Sequence, residues 1–265
     1  RLAAMIANAQ LPDAIRTEAI TALRDWTKPD AKDRVTGLWR PLPARNEPEF
    51  LRYQAALERV LTNSAPESVQ MALLNVATRW GWHELGSAAF TLFQSDKTPI
   101  RTRVAVLDFL AAVKSPRLND AVKQASSSAV DELRIAALKF AMETMNSAQL
   151  GEVFTKLLGA GTLRERQGAY ALLGELKDPS ADRLLAARLD ELLLGKIPAN
   201  LQLDLVEAAS RRSDPEVKDK LASYVARQGG RTGAAQFSEC LQGGNADRGK
   251  KVFREHPRAV CIRCH

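Results

Sequence analysis

The sequence predicts an all-α fold, a right-handed superhelix of about five or six helix pairs. Leucine and alanine are abundant, whereas aromatic residues make up only 6% of the 265 residues, and leucine and alanine are strong helix formers. A similar segment recurs five times, with its second residue at positions 70, 103, 134, 166 and 203, in steps of 33, 31, 32 and 37 residues. A period in this range is typical of proteins that stack one supersecondary unit on the next.

The five recurring segments predict the first helix of each pair. They are Val69–Leu74, Thr102–Leu107, Leu133–Leu138, Glu165–Tyr170 and Gln202–Glu207. Their apolar residues recur at i, i+3 and i+4, which is the period of an α-helix and not the alternation of a β-strand. In the second segment, apolar side chains continue as far as Val113 and cover two adjacent faces. So wide an apolar surface is typical of a helix that packs between two layers.

A second helix is expected to follow each first helix after a turn. The second helices that the pattern locates are Leu118–Ser126, Leu150–Leu158, Ala181–Leu194 and Glu216–Arg227. The dipeptides Asp178-Pro179 and Asp214-Pro215 separate the two helices of a pair, because proline ends one helix and fits the first turn of the next. Gly161, Gly195 and Gly229 mark helix ends and loops between repeats.

The N-terminal region, residues 1–65, departs from the repeat pattern. Pro12–Trp26 predicts one helix and Phe50–Thr62 another. Between them, Thr27–Glu49 contains four prolines and predicts an irregular loop. We therefore expect an atypical repeat or a cap at this end of the array.

Helix pairs of this length, with Asp-Pro between the two helices and an arginine in several first helices, resemble HEAT repeats. The resemblance covers Pro66–Gln228 and places a repeat domain at residues 66–230. It implies an armadillo-like superhelix whose concave surface binds a partner or separates two domains. Arg103, Arg134 and Arg166 share one repeat position. We expect them to form ion pairs or helix caps between repeats, and the alternative is a basic binding stripe.

The positive charge is concentrated at the C-terminal end. Of the net charge of +7, residues 243–265 carry +4 and the first 242 residues only +3. Because positive and negative charges nearly balance in the first 242 residues, the sequence argues against nucleic-acid binding. No apolar run is long enough to span a membrane, and three cysteines are too few for a disulfide scaffold. Because the repeats contain no recognisable catalytic motif, we expect no catalytic residue in this chain.

The run Cys261-Ile-Arg-Cys264-His265 is the CxxCH signature of c-type haem attachment. Two thiols at this spacing can add across the two vinyl groups of one haem, and the adjacent histidine then becomes the proximal ligand of the iron. We therefore predict thioethers from Cys261 and Cys264 to haem c, with His265 on the iron. Two alternatives remain open: a zinc knuckle with Cys240 as the fourth ligand, and an inert or redox-active pair of thiols.

The residues before this motif resemble the first helix of small cytochrome c domains. The run Ala246–Phe253 matches the family pattern A-x-x-G-K-x-x-F. The resemblance implies that Gly249 allows a second helix to cross closely, and that Phe253 packs beside the haem. Both residues therefore belong to the expected cofactor-binding set.

Residues 243–265 are accordingly expected to begin a cytochrome c domain, joined to the repeats by a linker at residues 231–242. Asn245 can cap its first helix, which continues to about Glu255. A cytochrome c domain also needs an apolar shell and commonly a distal methionine, supplied by on the order of 50 further residues. All four methionines lie in the repeat body or before it. We therefore expect the chain to be a piece of a longer protein.

The combination of a HEAT-like array with CxxCH resembles the large secreted, multidomain haem-binding proteins of planctomycete and verrucomicrobial bacteria. The resemblance implies an exported, periplasmic protein, in which the array holds a haem domain near a redox partner protein or a covalently linked dehydrogenase domain. The expected function is a scaffold segment of an electron-transfer protein. The alternative is a HEAT-type module that binds protein or nucleic acid and has no redox role.

Overall fold

A computed structural model of the chain shows an all-α fold. The residues it describes are 2–33, 36–46, 54–62, 65–229, 233–244 and 246–256. They contain fourteen α-helices and, apart from one isolated bridge between Lys32 and Trp39, no β-pairing. The predicted all-α class is therefore confirmed. The chain divides into two compact units, Arg1–Ala141 and Met142–His265.

Eight helices form the first unit. They are α1 Leu2–Ala7, α2 Asp13–Arg24, α3 Gln54–Thr62, α4 Glu67–Trp80, α5 Gly86–Gln94, α6 Ile100–Ala112, α7 Leu118–Ser126 and α8 Asp131–Ala141. The helices α2, α4, α6 and α8 pack one against the next, while α1, α3 and α5 form a second row. Within each of these rows, a helix therefore packs on the helix two places along the chain.

One apolar core runs through the first unit. It includes the fully buried side chains of Ile6, Leu57, Leu73, Leu107 and Leu133, which come from five different helices. The N-terminal helices thus share their core with the recurring helices, because α2 packs directly on α4. Between α2 and α3, the described residues form turns and irregular backbone, as the prolines predict.

The second unit continues with six further helices. They are α9 Ser147–Ala160, α10 Leu163–Glu175, α11 Pro179–Leu193, α12 Ala199–Ser210, α13 Pro215–Gln228 and α14 Ala246–Glu255. Here α9, α11 and α13 pack in one row, and α10 packs on α12. All five predicted first helices and all four predicted second helices across the two units are present. The end of α11 at Leu193 also agrees with the long second helix that the 37-residue step indicates.

The Asp-Pro dipeptides begin second helices in the predicted way. The Asp178 carboxylate accepts a hydrogen bond from the backbone N–H of Ser180 at 2.8 Å, and Pro179 occupies the first turn of α11. Proline fits that position because the first N–H groups of a helix have no partner within the helix. Asp214 caps α13 in a related way, since its carboxylate accepts a hydrogen bond from the backbone N–H of Val217 at 3.1 Å.

Two of the three arginines at the shared repeat position cap the preceding helices. Arg134 donates to the backbone oxygen of Ser128, just after α7, at 2.7 Å. Arg166 donates to two backbone oxygens at the end of α9, at 2.9 and 3.0 Å. The predicted caps are confirmed at these two positions. Arg103 instead lies over the ring of Phe93, 5.1 Å from its centre.

Side chains also bond between successive helix pairs. In the first unit, Lys139 Nζ lies 2.8 Å from an oxygen of Asp108, 31 residues earlier. In the second unit, Lys220 Nζ lies 2.7 Å from an oxygen of Asp190, 30 residues earlier. These separations match the spacing of the recurring segments. The period in the sequence is therefore also the period of helix stacking within each unit.

Candidate functional site

The predicted haem-attachment residues Cys261, Cys264 and His265 lie outside the described residues, as does the predicted cap Asn245. The structure shows instead the segment that leads to the motif. This segment comprises residues 233–244 and helix α14. Of the described residues, those of this segment are nearest to the motif in the chain.

Helix α14 has a partly exposed apolar face. Gly249, Val252 and Phe253 are spaced i, i+3 and i+4, so they lie on one side of the helix. Val252 is 50% exposed and Phe253 39% exposed, and no atom outside the helix lies within 4 Å of where a Cβ on Gly249 would be. The helix itself is confirmed. The packing roles of Gly249 and Phe253 remain predictions.

The same helix carries exposed positive charge. Lys250, Lys251 and Arg254 are all exposed. One carboxylate oxygen of Glu255 lies 4.0 Å from Lys251 Nζ, and an exposed pair at that distance is weak because water screens it. The cationic charge of α14 is therefore available to attract an acidic surface.

The segment between α13 and α14 lies against α12. A 3-10 helix, Gly233–Leu241, packs on α12. After it, a Cβ placed on Gly243 would lie 3.3 Å from Leu203 Cβ and 3.4 Å from the backbone oxygen of Asn200. Gly244 has φ of 90°, a conformation that favours glycine. Most of the predicted linker is thus a 3-10 helix with a defined place on α12.

A polar contact joins the same segment to α10 and α12. The side-chain amide of Gln167 on α10 donates to the backbone oxygen of Gly244 at 3.2 Å. The same nitrogen also donates to a carboxylate oxygen of Asp204 on α12 at 3.2 Å. Sequence reasoning missed Gln167, because the contact spans 77 residues and leaves no local pattern. The adjacent glycines Gly243 and Gly244 are the sequence signal that could have indicated a close approach of the backbone to α12.

Cys240 is an exposed free thiol in the 3-10 helix. Partial burial and the carboxylates of Glu239 and Glu207 raise the pKa of this thiol. It is therefore protonated and weakly nucleophilic at neutral pH. Among the described residues, no three His, Cys, Asp or Glu side chains form a group that could hold a metal ion. The zinc alternative depends on the three motif residues and stays an untested alternative.

A cavity of about 250 Å³ lies in the first unit between α2 and the loop that follows it. Its charged lining residues are Glu18, Asp25, Asp30, Asp33, Lys32 and Arg45. The Arg45 guanidinium also lies over the ring of Trp26, 4.6 Å from its centre.

No protein-family model, curated protein or solved structure matches the chain. Within the part of the chain that the structure describes, no helix combines the length and the apolar character needed to cross a membrane. No similar protein therefore assigns a role to these residues, and the chemistry proposed for them below follows from their residue types and positions.

Proposed function

We propose that the chain is a HEAT-like scaffold of an electron-transfer protein, with haem c attached covalently at its C-terminal motif. The observation that carries the proposal is Cys261-Ile-Arg-Cys264-His265, placed shortly after the amphipathic helix α14. In this proposal Cys261 and Cys264 form the thioethers and His265 binds the iron. The helical body contributes position, and no residue in it is assigned a catalytic role.

The exposed face of α14 supports a haem-bearing domain at this end. Val252 is 50% exposed and Phe253 39% exposed, and apolar side chains of this kind line a haem pocket. When bound, haem supplies a centre that accepts and releases one electron. The contribution of the chain is the attachment itself. Each cysteine adds its S–H across one vinyl double bond, so an S–C bond forms and the hydrogen moves to the neighbouring carbon.

The helix stacking supports the HEAT-like superhelix. In each unit a helix packs on the helix two places along the chain, and ion pairs recur at separations of 30 and 31 residues. Repeat arrays bury their apolar faces between neighbouring pairs and leave an extended surface. In the proposed protein that surface positions the haem domain next to the donor or acceptor of its electrons.

The basic side of α14 supports a partner with an acidic surface. Exposed Lys250, Lys251 and Arg254 would raise the association rate with such a partner, and added salt would lower that rate. The electron donor is then a separate redox protein or a covalently linked dehydrogenase domain. Thioether attachment of haem takes place outside the bacterial cytoplasm, so the proposal includes export to the periplasm.

The test of the proposal is covalent haem in the complete reading frame. The protein is produced in a host with cytochrome c maturation, extracted with acidic acetone, and examined as the pyridine haemochrome. We expect one haem per chain that survives extraction, and none in the Cys261→Ala/Cys264→Ala variant. Cys240→Ala is the matched control, because it removes a thiol outside the motif and should retain haem. Stoichiometric zinc without a Soret band would assign the motif to the zinc knuckle instead.

A further inference from the structure

We propose that residues 243–244 form a docked joint. Gln167, Leu203 and Asp204, here called the seat, hold these two residues in place, and this fixes the orientation of α14 relative to α10 and α12. The inference deepens the proposed function, since it takes the segment that bears the haem motif as the occupant of this seat. Two adjacent glycines at the end of a connecting segment usually indicate a flexible hinge. The contacts around Gly243 and Gly244 indicate the opposite.

The polar half of the seat is Gln167. Its side-chain NH₂ carries two hydrogens, and the nitrogen has two acceptors at 3.2 Å, the backbone oxygen of Gly244 and a carboxylate oxygen of Asp204. Both hydrogens of the amide are therefore used. Because Gln167 lies on α10 and Asp204 on α12, the joint is tied to two neighbouring helices at once.

The apolar half of the seat is Leu203. A Cβ on Gly243 would approach Leu203 Cβ to 3.3 Å, and a Cβ on Gly244 would approach Leu203 Cδ2 to 3.7 Å. The backbone oxygens of Asn200 and Glu239 close the other sides of Gly243, at 3.4 and 3.5 Å. Glycine is present at these positions because the backbone must pass close to α12 and adopt a positive φ at Gly244.

The segment that precedes the joint is held on the same helix. The 3-10 helix Gly233–Leu241 packs on α12, and Ser238 and Glu239 are half-buried. The chain therefore follows α12 continuously up to the joint, and only then does α14 begin. A haem domain that starts with α14 would keep a fixed direction relative to α10 and α12, which defines the face it offers to a redox partner.

A distance measurement tests the joint directly. Exposed Arg164 on α10 and exposed Lys250 on α14 are replaced by a keto amino acid and spin-labelled, which leaves the cysteines untouched. Pulsed electron–electron double resonance on the haem-free chain should give a single narrow distance distribution. In the same doubly labelled chain, Gln167→Leu and, separately, Gly244→Ala should replace that peak with a broad distribution.

The matched control is Gln242→Leu, which changes an exposed glutamine beside the joint and should leave the narrow peak in place. Far-UV circular dichroism checks that each variant keeps its helices. A broad distribution in the unsubstituted labelled chain would overturn the docked joint. So would a narrow peak that survives in both folded variants. These outcomes do not depend on haem. The absence of covalent haem would therefore refute the proposed function, whereas only the distance distributions decide whether the docked joint exists.

Discussion

The guanidinium of Arg212 forms two parallel hydrogen bonds with the carboxylate of Asp182, at 2.7 and 2.9 Å. The two residues are 30 positions apart, so the pair links one helix pair to the next. A third contact runs from Arg212 to the backbone oxygen of Leu176, at the end of α10. Pairing with Asp182 holds the pKa of Arg212 above its ordinary value. One side chain thus joins the turn after α12 to α10 and α11.

Removal of the Arg212 guanidinium should destabilise the second unit markedly. The Arg212 side chain is only 12% exposed, and its loss would leave the Asp182 carboxylate and the Leu176 carbonyl without this donor. We expect Arg212→Met to lower the free energy of unfolding by about 2–3 kcal/mol, less than for a fully buried pair because water reaches part of Asp182. Urea denaturation followed by circular dichroism measures the change.

The neighbouring arginine provides the control for this prediction. Arg211 pairs with Glu175 at 3.2 Å, but the two side chains are 42% and 70% exposed. Exposed pairs contribute about 0–1 kcal/mol, so Arg211→Met should have little effect. Equal losses of stability in the two variants would show that the bidentate contact is not what holds the repeats together.

Arg166 should stabilise the end of α9 through its two bonds to backbone oxygens. Arg166→Ala removes both donors. Hydrogen bonds to charged groups contribute about 1.5–3 kcal/mol, and because one of these two is exposed we expect a loss in the free energy of unfolding near the lower end, roughly 1–2 kcal/mol. Exposed Arg164, on the same helix, is the reference: Arg164→Ala should change stability by less than about 0.5 kcal/mol. A larger effect at Arg164 would contradict the cap.

Much of the fold could be predicted because its signals are local. The bounds of α7 agree with the sequence prediction, and α11 and α13 begin at Pro179 and Pro215, because an Asp-Pro dipeptide caps a helix with residues adjacent in the chain. The sequence pattern did not locate α1 or α5. The first is only six residues long, and the second begins with Gly86 and Ser87, which are poor helix formers.

The candidate site also has a part that could be predicted from the sequence and a part that could not. The CxxCH spacing and α14 could be recognised in the sequence, because each is a pattern of residues close together in the chain. The place of residues 233–244 against α12 and α10 could not, because it depends on Leu203 and Gln167, which are far away in the chain. The glycines Gly243 and Gly244 show why: a hinge and a close packing contact need the same residue type, and only the three-dimensional neighbours distinguish them.

Alkaline pH should weaken the second unit through Tyr170. Burial raises the pKa of Tyr170 to about 12, from an ordinary value of 10.0. Between these values the unfolded tyrosine loses its proton while the folded one retains it, so stability should fall as the pH rises through this window. Tyr170→Phe should flatten the decline. The free energy of unfolding is measured at several pH values, and an equally steep decline in the variant would contradict the assignment.

Asp178 should titrate below its ordinary pKa of 3.8, because the Ser147 hydroxyl and the Ser180 backbone N–H donate to its carboxylate. The stability contributed by these bonds is present above pH 3.8 and is lost as the pH falls below it. Ser147→Ala should move the pKa upwards, as followed by the carboxyl ¹³C shift of Asp178. The Ser223 hydroxyl donates to the backbone oxygen of Asp219, so Ser223→Ala should leave the pKa of Asp178 unchanged. An unchanged midpoint in Ser147→Ala would contradict the account.

The mass of the complete protein, unfolded and desalted after cytochrome c maturation, tests the central proposal most directly. We predict a chain heavier by one haem, with fragmentation placing the added mass on Cys261 and Cys264 and leaving Cys240 unmodified. Non-covalent haem and metal ions are lost on unfolding, so only thioethers give this result. A chain of unmodified mass, with both motif thiols free to react with an alkylating reagent, would contradict it.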